Sequence, residues 1–294
     1  MSLGEDVLSS PILWENLLWV VTSSSQDDEQ NQNIWVLDST KNTTDCVQSR
    51  ISLPVRVAAD PLLWSRAGTK RTHGSTAAAI LIYSSSDWDA GLILVDLERK
   101  CLMFSNDGSS GMFFAGEIGP VHNAMAIDSQ TGAVIISDSL GSVHKVNLET
   151  LTISSKKIAN CALSSPFLVT DSCTIIIGGY DGRVRCLSND LDSMCWSIDA
   201  FSTVCARPLV LMKSENVVVC TTAGDVSVLN IFTGKEQWRY RLPIGGEIWS
   251  DPIEIPLNSL AAIGTPRRVC FGARDSRLHL LNVPTSTSAK HEVC

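Results

Sequence analysis

One pattern recurs six times in this chain and restricts its fold more than any other feature: a turn, then five residues of alternating character that end in Asp, Asn or Ser. The copies are Ile34-Trp-Val-Leu-Asp38, Leu92-Ile-Leu-Val-Asp96, Val143-His-Lys-Val-Asn147, Val184-Arg-Cys-Leu-Ser188, Val226-Ser-Val-Leu-Asn230 and Leu278-His-Leu-Leu-Asn282. Alternation with a period of two places successive side chains on opposite faces of a strand. The last residues of successive copies lie between 41 and 58 positions apart. A β unit repeated at about 40–50 residues cannot bury both of its faces alone and must stack on its neighbours.

A second element precedes each copy. It reads Ser-Ser-Pro at 9–11, Ala-Asp-Pro at 59–61, Ser-Ser-Pro at 164–166, Ala-Arg-Pro at 206–208 and Ser-Asp-Pro at 250–252, with a degenerate form at 121–125 in which Met125 replaces the proline. Proline at the start of a strand removes no ladder hydrogen bond that the sheet needs. An apolar run follows, as in Thr174-Ile-Ile-Ile-Gly178, and then a short turn at Asp181-Gly182, Gly141-Ser142, Gly224-Asp225 or Ala90-Gly91. Asp-Gly suits a two-residue hairpin with positive φ at both turn positions. A further turn leads to an outer strand, clearest in Phe232-Thr-Gly-Lys-Glu-Gln-Trp238, whose tryptophan is placed to pack between neighbouring sheets. The longer spacings coincide with polar insertions at 65–75 and 105–111, which loops accommodate at small entropic cost. Residues 77–82 suit helix or strand by composition, and the Tyr83-Ser-Ser-Ser run after them favours strand then turn.

These elements predict an all-β chain: a β-propeller of four-stranded antiparallel blades, a single domain over 1–294. The repeats fall at about 8–54, 55–111, 112–159, 160–202, 203–246 and 247–283, followed by a disordered tail at 284–294. Gly4-Glu-Asp-Val-Leu-Ser-Ser-Pro11 matches Gly245-Gly-Glu-Ile-Trp-Ser-Asp-Pro252, but the strand that precedes the latter has no counterpart before the former. Six repeats without a closing strand read as an incomplete six- to eight-bladed ring, a fragment or short isoform of a longer protein.

Composition narrows the function. A formal net charge of −8, with basic residues scattered in pairs such as Lys70-Arg71 and Arg267-Arg268, argues against nucleic acid as a partner. No apolar run reaches the ~18 residues a helical membrane span needs. The acidic start lacks a signal-peptide pattern, so a cytoplasmic, membrane-free protein is expected. None of the ten cysteines forms a Cys-x-x-Cys pair, and several lie in apolar runs such as Val-Val-Val-Cys at 217–220. They read as reduced, small hydrophobes.

Sites of chemistry are sparse. His73, His122, His144, His279 and His291 are far apart in sequence, although His144 and His279 share the second place of their strands. Their equivalence suits surface or inter-sheet roles better than metal ligation. Gly108-Ser-Ser-Gly111 lies in a polar insertion rather than at a nucleophile elbow. Thr233-Gly-Lys235 is the repeat's own turn and not a phosphate loop. Asp87, Asp89, Asp181 and Asp225 sit at turns, where Asx chemistry accounts for them. The eight tryptophans, Trp14, Trp19, Trp35, Trp64, Trp88, Trp196, Trp238 and Trp249, read as inter-blade packing.

The segments Gly178-Gly-Tyr-Asp-Gly-Arg-Val184 and Thr233-Gly-Lys-Glu-Gln-Trp238, with the Ser-x-Pro openings, resemble the pyrroloquinoline-quinone (PQQ) propeller repeat, most strongly over about 160–256. More narrowly, Gly-Gly-Tyr-Asp-Gly-Arg-Val-Arg-Cys-Leu, Gly-Asp-Val-Ser-Val-Leu-Asn and Gly-Glu-Ile-Trp-Ser-Asp-Pro look like the C-terminal propeller of the β-alanine-activating enzymes, members of the acyl-CoA synthetase family. The resemblance implies that an adenylate-forming domain and a phosphopantetheine carrier domain precede the propeller. Their phosphate loop, downstream lysine and Gly-Gly-Asp-Ser attachment motif are not in this sequence. It therefore implies a non-catalytic binding or scaffold propeller with no catalytic, cofactor-binding or metal residues of its own and no cofactor. Its expected partners are adenylation or carrier domains, or a small ligand at the propeller face. The competing readings are a PQQ-dependent oxidoreductase, which would need Ca²⁺ held by Glu and Asn, and a free-standing protein-interaction propeller.

Overall fold

A computed structural model describes residues 6–7, 9–23, 32–41, 44–53, 57, 59–65, 77–84, 90–103, 112–128, 130–169, 174–211, 214–243, 246–255 and 267–284. The chain divides into two compact units, Met1–Ser155 and Lys156–Cys294. Each holds three consecutive antiparallel sheets.

In the first unit, sheet 1 comprises β1 (Asp6–Val7), β2 (Ile12–Trp14), β3 (Leu17–Ser23), β4 (Gln32–Asp38) and β5 (Val47–Leu53), with a short 3-10 turn, Thr44–Cys46, ahead of β5. The pieces β1 and β2 both pair with β3. Sheet 2 comprises β6 (Leu62–Ser65), β7 (Ala77–Ser84), β8 (Ala90–Asp96), β9 (Cys101–Leu102) and β10 (Met112–Ile118), and here β9 and β10 share β8. Sheet 3 comprises β11 (Ala126–Ile127), β12 (Val134–Ser137), β13 (Ser142–Asn147) and β14 (Thr152–Lys157) in simple meander order.

In the second unit, sheet 4 comprises β15 (Phe167–Val169), β16 (Thr174–Gly178), β17 (Arg183–Ser188) and β18 (Met194–Asp199). Sheet 5 comprises β19 (Leu209–Val210), β20 (Asn216–Cys220), β21 (Asp225–Asn230) and β22 (Glu236–Arg241). Sheet 6 has three strands among the described residues, β23 (Ile253–Ile255), β24 (Arg267–Ala273) and β25 (Arg277–Val283). The ambiguous segment after residue 76 is strand, as its Tyr-Ser-Ser-Ser boundary indicated.

The five-residue motif is the third strand of every sheet, and its alternation sets which sheet it faces. Within each unit, positions 1 and 3 face the following sheet and positions 2 and 4 face the preceding one. Thus Ile34 and Val36 pack with Ile93 and Val95, Leu92 and Leu94 with Val146, Val184 and Cys186 with Leu229, and Val226 and Val228 with Leu281. We call these the leading and trailing faces. Each interface is a layer of β-branched and aliphatic side chains, and burial of one such side chain contributes roughly 1.5–3 kcal/mol.

The motif's last residue has a different task. Asp96 accepts the backbone N–H groups of Glu98 and Arg99 at 3.0 and 2.9 Å. Asn147 accepts those of Glu149 and Thr150 at 2.9 and 3.1 Å, and Asn230 those of Phe232 and Thr233 at 3.1 and 3.0 Å. A short side-chain acceptor at the strand's end nucleates the next turn, which explains why Asp or Asn recurs there.

Two turn expectations change. The hairpin at Asp181-Gly182 has positive φ at Gly182 alone, and the Gly182 N–H donates to Gly179 O at 3.0 Å. Gly141 and Gly224 repeat this arrangement, and Ser276 adopts it at φ 63°. These are three-residue turns with one left-handed position, a form that tolerates Asp, Leu or Ala before the glycine. Ala90 and Gly91 belong to β8 itself, because the apolar run of that strand extends one register further than its turn-like dipeptide suggests.

Candidate interaction face on the loop rim

The structure disperses the titratable residues into local pairs. Asp138 is buried at a hairpin turn and accepts the N–H groups of Leu140 and Ser142 at 3.0 and 2.7 Å. It also pairs with His144 Nε2 at 3.0 Å, while His144 Nδ1 meets Ser155 Oγ at 2.8 Å. Burial pushes the Asp138 carboxyl up, but His144 and the two amides outweigh it and hold the group below the usual carboxylate value. The same design recurs elsewhere. Asp181 forks onto Arg185 in sheet 4, and Asp275 meets His279 Nε2 at 2.9 Å in sheet 6. His144, Arg185 and His279 all hold position 2 of the motif, so the sequence equivalence of the two histidines reflects a turn-bracing pair repeated from sheet to sheet. Among the described residues no cluster of three or more His, Cys, Asp or Glu could hold a metal ion. His73, His291, Asp87, Asp89, Trp88 and the 108–111 segment lie outside the described residues.

Most described tryptophans bridge sheets. Trp64 Nε1 donates to Gly132 O at 2.7 Å, and Trp196 Nε1 donates to Ile231 O at 2.8 Å. Trp238 packs onto the cluster between sheets 5 and 6, and Trp19 lies in the one between sheets 1 and 2. Gly234 has φ +68°, and a Cβ there would stand 2.7 Å from the Trp196 ring, so the Thr-Gly-Lys turn exists to admit that indole. Cysteines follow suit only in part. Cys46, Cys186, Cys220 and Cys270 are buried free thiols, whereas Cys101 and Cys195 are exposed. Burial pushes the Cys186 thiol up to about 12, which makes it inert as a nucleophile.

Trp35, stacked under Arg50 at 5.0 Å, and Trp249, under Arg274, are placed differently, and Trp249 marks the second unit's loop rim. Backbone and hydroxyl bonds tie the loops at one end of sheets 4, 5 and 6 into a continuous edge. Tyr180 N–H donates to Ala162 O at 3.0 Å, Thr203 Oγ1 to Tyr180 O at 3.1 Å, Thr222 N–H to Thr203 O at 3.0 Å, Ile248 N–H to Thr221 O at 3.4 Å and Arg274 N–H to Glu247 O at 2.9 Å. Val204 and Ile248, each four residues before a repeat proline, are fully buried anchors beneath it. Held on this rigid base, Phe201 is 74% exposed and Trp249 44% exposed. The Arg239 guanidinium lies 5.4 Å over the Phe201 ring, and that of Arg274 lies 4.8 Å over Trp249. Glu247 fixes the second pair, accepting from Trp249 Nε1 at 3.1 Å and pairing with Arg274 at 3.3 Å. Exposed aromatics stacked with arginines, on loops tied to one another by hydrogen bonds, are the composition of protein-binding hot spots. Sequence reasoning treated Trp249 with the packing tryptophans and passed over Phe201. Nothing in a single repeat distinguishes an exposed loop aromatic from a buried one.

Repeated antiparallel sheets of three to five described strands, packed leading face on trailing face within each unit, define the class: the chain has the β-propeller fold. Solved structures agree. The chain aligns with Sqt1 of Saccharomyces cerevisiae at TM-score 0.67 and 12% identity, covering 92% of this chain and 69% of that one. It aligns with a chain of the mitotic checkpoint complex at 0.60 and 12%, covering 92% and 74%, and with BamB of Moraxella catarrhalis at 0.55 and 14%, covering 91% and 70%. At such identities the likeness shows the fold. No protein-family profile matches the chain. Among curated proteins it is similar to the Beta-alanine-activating enzyme of Drosophila melanogaster, 31% identical over 86 residues, and to that of Danio rerio, 27% identical over 111 residues. The matched segments cover 28% and 36% of this chain and span 8% and 10% of those relatives. No helix among the described residues is long and apolar enough to cross a membrane.

Proposed function

We propose that this chain is a non-catalytic scaffold that binds protein partners through the loop rim of its second unit. The observation that carries the reading is the pair of arginine-stacked aromatics, Phe201 and Trp249, presented to solvent. Large aromatic surface held in one conformation loses little entropy on binding. The described polar groups are, by contrast, spent on bracing turns rather than converging on a reacting centre. The finer assignment is the accessory propeller of an acyl-adenylate-forming enzyme that activates β-alanine, another amino acid or a fatty acid, with its adenylation or carrier domain as the partner. The support for it is the partial similarity to the two Beta-alanine-activating enzymes.

A photo-crosslinking amino acid placed at Phe201 or Trp249, expressed in cells, tests both levels. Specific adducts with one protein, absent when the crosslinker replaces the exposed Glu149, support the scaffold reading. Mass identification of an adenylation or carrier domain in those adducts supports the finer one. Equal labelling at all three positions would overturn both.

A further inference from the structure

In sheets 1, 4 and 5 the outer strand meets position 3 of the motif through a bulge, which sets two residues of one strand against one of its partner. In sheet 5 Gln237 and Trp238 of β22 stand opposite Val228, and in sheet 1 Gln48 and Ser49 of β5 stand opposite Val36. In sheet 4 the residue at position 3 is Cys186, and the two opposite it on β18 are Cys195 and Trp196. The bulge that holds glutamine against valine elsewhere thus holds cysteine against cysteine here.

The two thiols are free, near enough to hydrogen-bond with one another, and unequal in surroundings. Cys186 is buried in the cluster between sheets 4 and 5, whereas Cys195 is exposed on the outer strand. Opposed residues of antiparallel strands bring their Cα atoms to about 4.5–5.5 Å, inside the range of about 4.4–6.8 Å that a disulfide spans. Cys101, the other exposed thiol among the described residues, stands beside Asp96 instead.

We propose that Cys186 and Cys195 form a reversible disulfide when a peroxide reaches the outer strand of sheet 4. Cys195 offers the sulfur that solvent can reach. As its thiolate it attacks one peroxide oxygen, the O–O bond breaks, and Cys195 becomes a sulfenic acid as one water leaves. Cys186 then bonds to that sulfur, the S–O bond breaks, and the hydroxyl departs as a second water with the Cys186 proton. Two thiols have lost two electrons, and one hydrogen peroxide has gained them. Burial keeps Cys186 inert toward reagents in solution, because with its thiol pushed up to about 12 only about one in 10⁵ is ionised at neutral pH. A sulfenic acid held in contact offsets that fraction, since intramolecular reactions reach effective molarities of about 10⁵–10⁸ M. The site uses neither the loop rim nor a partner and is independent of the scaffold reading.

Brief treatment of the reduced whole chain with hydrogen peroxide, followed by N-ethylmaleimide in guanidinium, tests the proposal. Trypsin cuts after Arg185 and Lys213 and spares the Arg207–Pro208 bond, so Cys186, Cys195 and Cys205 share one peptide. After oxidation that peptide should carry a single maleimide, on Cys205, and be two hydrogens lighter, and dithiothreitol should restore all three thiols. Cys195→Gln and Cys186→Val install the residues that sheet 5 has at the same places, and each should abolish the crosslink. Cys186→Val should also stop at a Cys195 sulfenic acid that dimedone traps. A wild-type chain whose Cys186 still takes maleimide, with Cys195 unreacted or left as sulfenic or sulfinic acid, overturns the proposal. So does a Cys195 disulfide to Cys205 or to a second chain.

Discussion

The backbone N–H of Ser10 donates to the carboxylate of Asp60 at 2.8 Å across 50 residues of sequence. Each of the two residues immediately precedes the proline that opens its repeat. The second unit repeats the bond between Arg207 N–H and Asp251 at 2.7 Å, again residue-before-proline to residue-before-proline. The carboxylate thus latches the start of one sheet to the start of the next. Asp251→Ala should destabilise the protein by about 1.5 kcal/mol, the low end of the range of about 1.5–3 kcal/mol for a hydrogen bond to a charged group, because the bond is exposed. Asp251→Asn keeps an acceptor and should cost less than half as much. Denaturant midpoints of the two variants check this.

Removing the acceptor at Asp138 should be far more damaging. It would leave His144 and two backbone amides without their partner in a buried site. Asp138→Ala should cost about 3 kcal/mol or more, because three buried donors lose their acceptor at about 1–3 kcal/mol each. Ser155→Ala, which removes only the outer hydroxyl contact to His144, should cost about 1 kcal/mol. Equal losses in urea unfolding would contradict the assignment of Asp138 as the centre of the network.

The Trp196 indole and Gly234 are shaped to one another. Gly234→Ala must relieve a 2.7 Å approach to the ring and accept a left-handed backbone, so a loss of about 1–3 kcal/mol is expected. Trp196→Phe removes the donor to Ile231 O and should cost about 1 kcal/mol, with Trp196→Ala at about 3–5 kcal/mol. Thermal unfolding of the three variants gives the order.

Acid should unfold the chain through two named carboxylates. The Arg185 guanidinium is the main cause holding Asp181 below its ordinary value, and His144 with the Ser142 and Leu140 amides outweighs burial to do the same for Asp138. A group with a depressed folded pKa stabilises fully above its unfolded pKa, and that stability is lost as pH falls through the folded value. The contribution of both is therefore complete above the ordinary carboxylate value of 3.8 and disappears below it. The double variant Asp138→Asn, Asp181→Asn should flatten the pH dependence of the unfolding free energy in that acid window. An unchanged slope would exclude these groups as its source.

The fold was legible because its governing signal is local and repeated. Alternation in Val184-Arg-Cys-Leu-Ser188 fixes a strand, and its recurrence fixes a stack. The placement of Trp196 and Trp238 between sheets followed from the same reasoning. The turn chemistry was legible only in kind: Asp181-Gly182 announces a hairpin, but the loop's length depends on Gly179, whose hydrogen bonds a dipeptide rule does not include. The exposure of Phe201 and of Leu278 was not legible. Leu278 holds the same motif position as Val226, yet it is 77% exposed while Val226 is fully buried. The pairing of Asp138 with His144 was equally hidden, since it requires the turn to bring position 2 of the strand back over the residue that precedes it.

Oxidative footprinting by hydroxyl radicals, performed inside cells and again on the purified chain, bears most directly on the rim as a binding face. The side chains of Phe201 and Trp249 should be oxidised several-fold less in the cell than in the purified protein, because a partner covers them there. Met194, exposed on an outer strand away from that rim, should react equally in both. Identical reactivity of Phe201 and Trp249 in the two settings would contradict the binding role assigned to them.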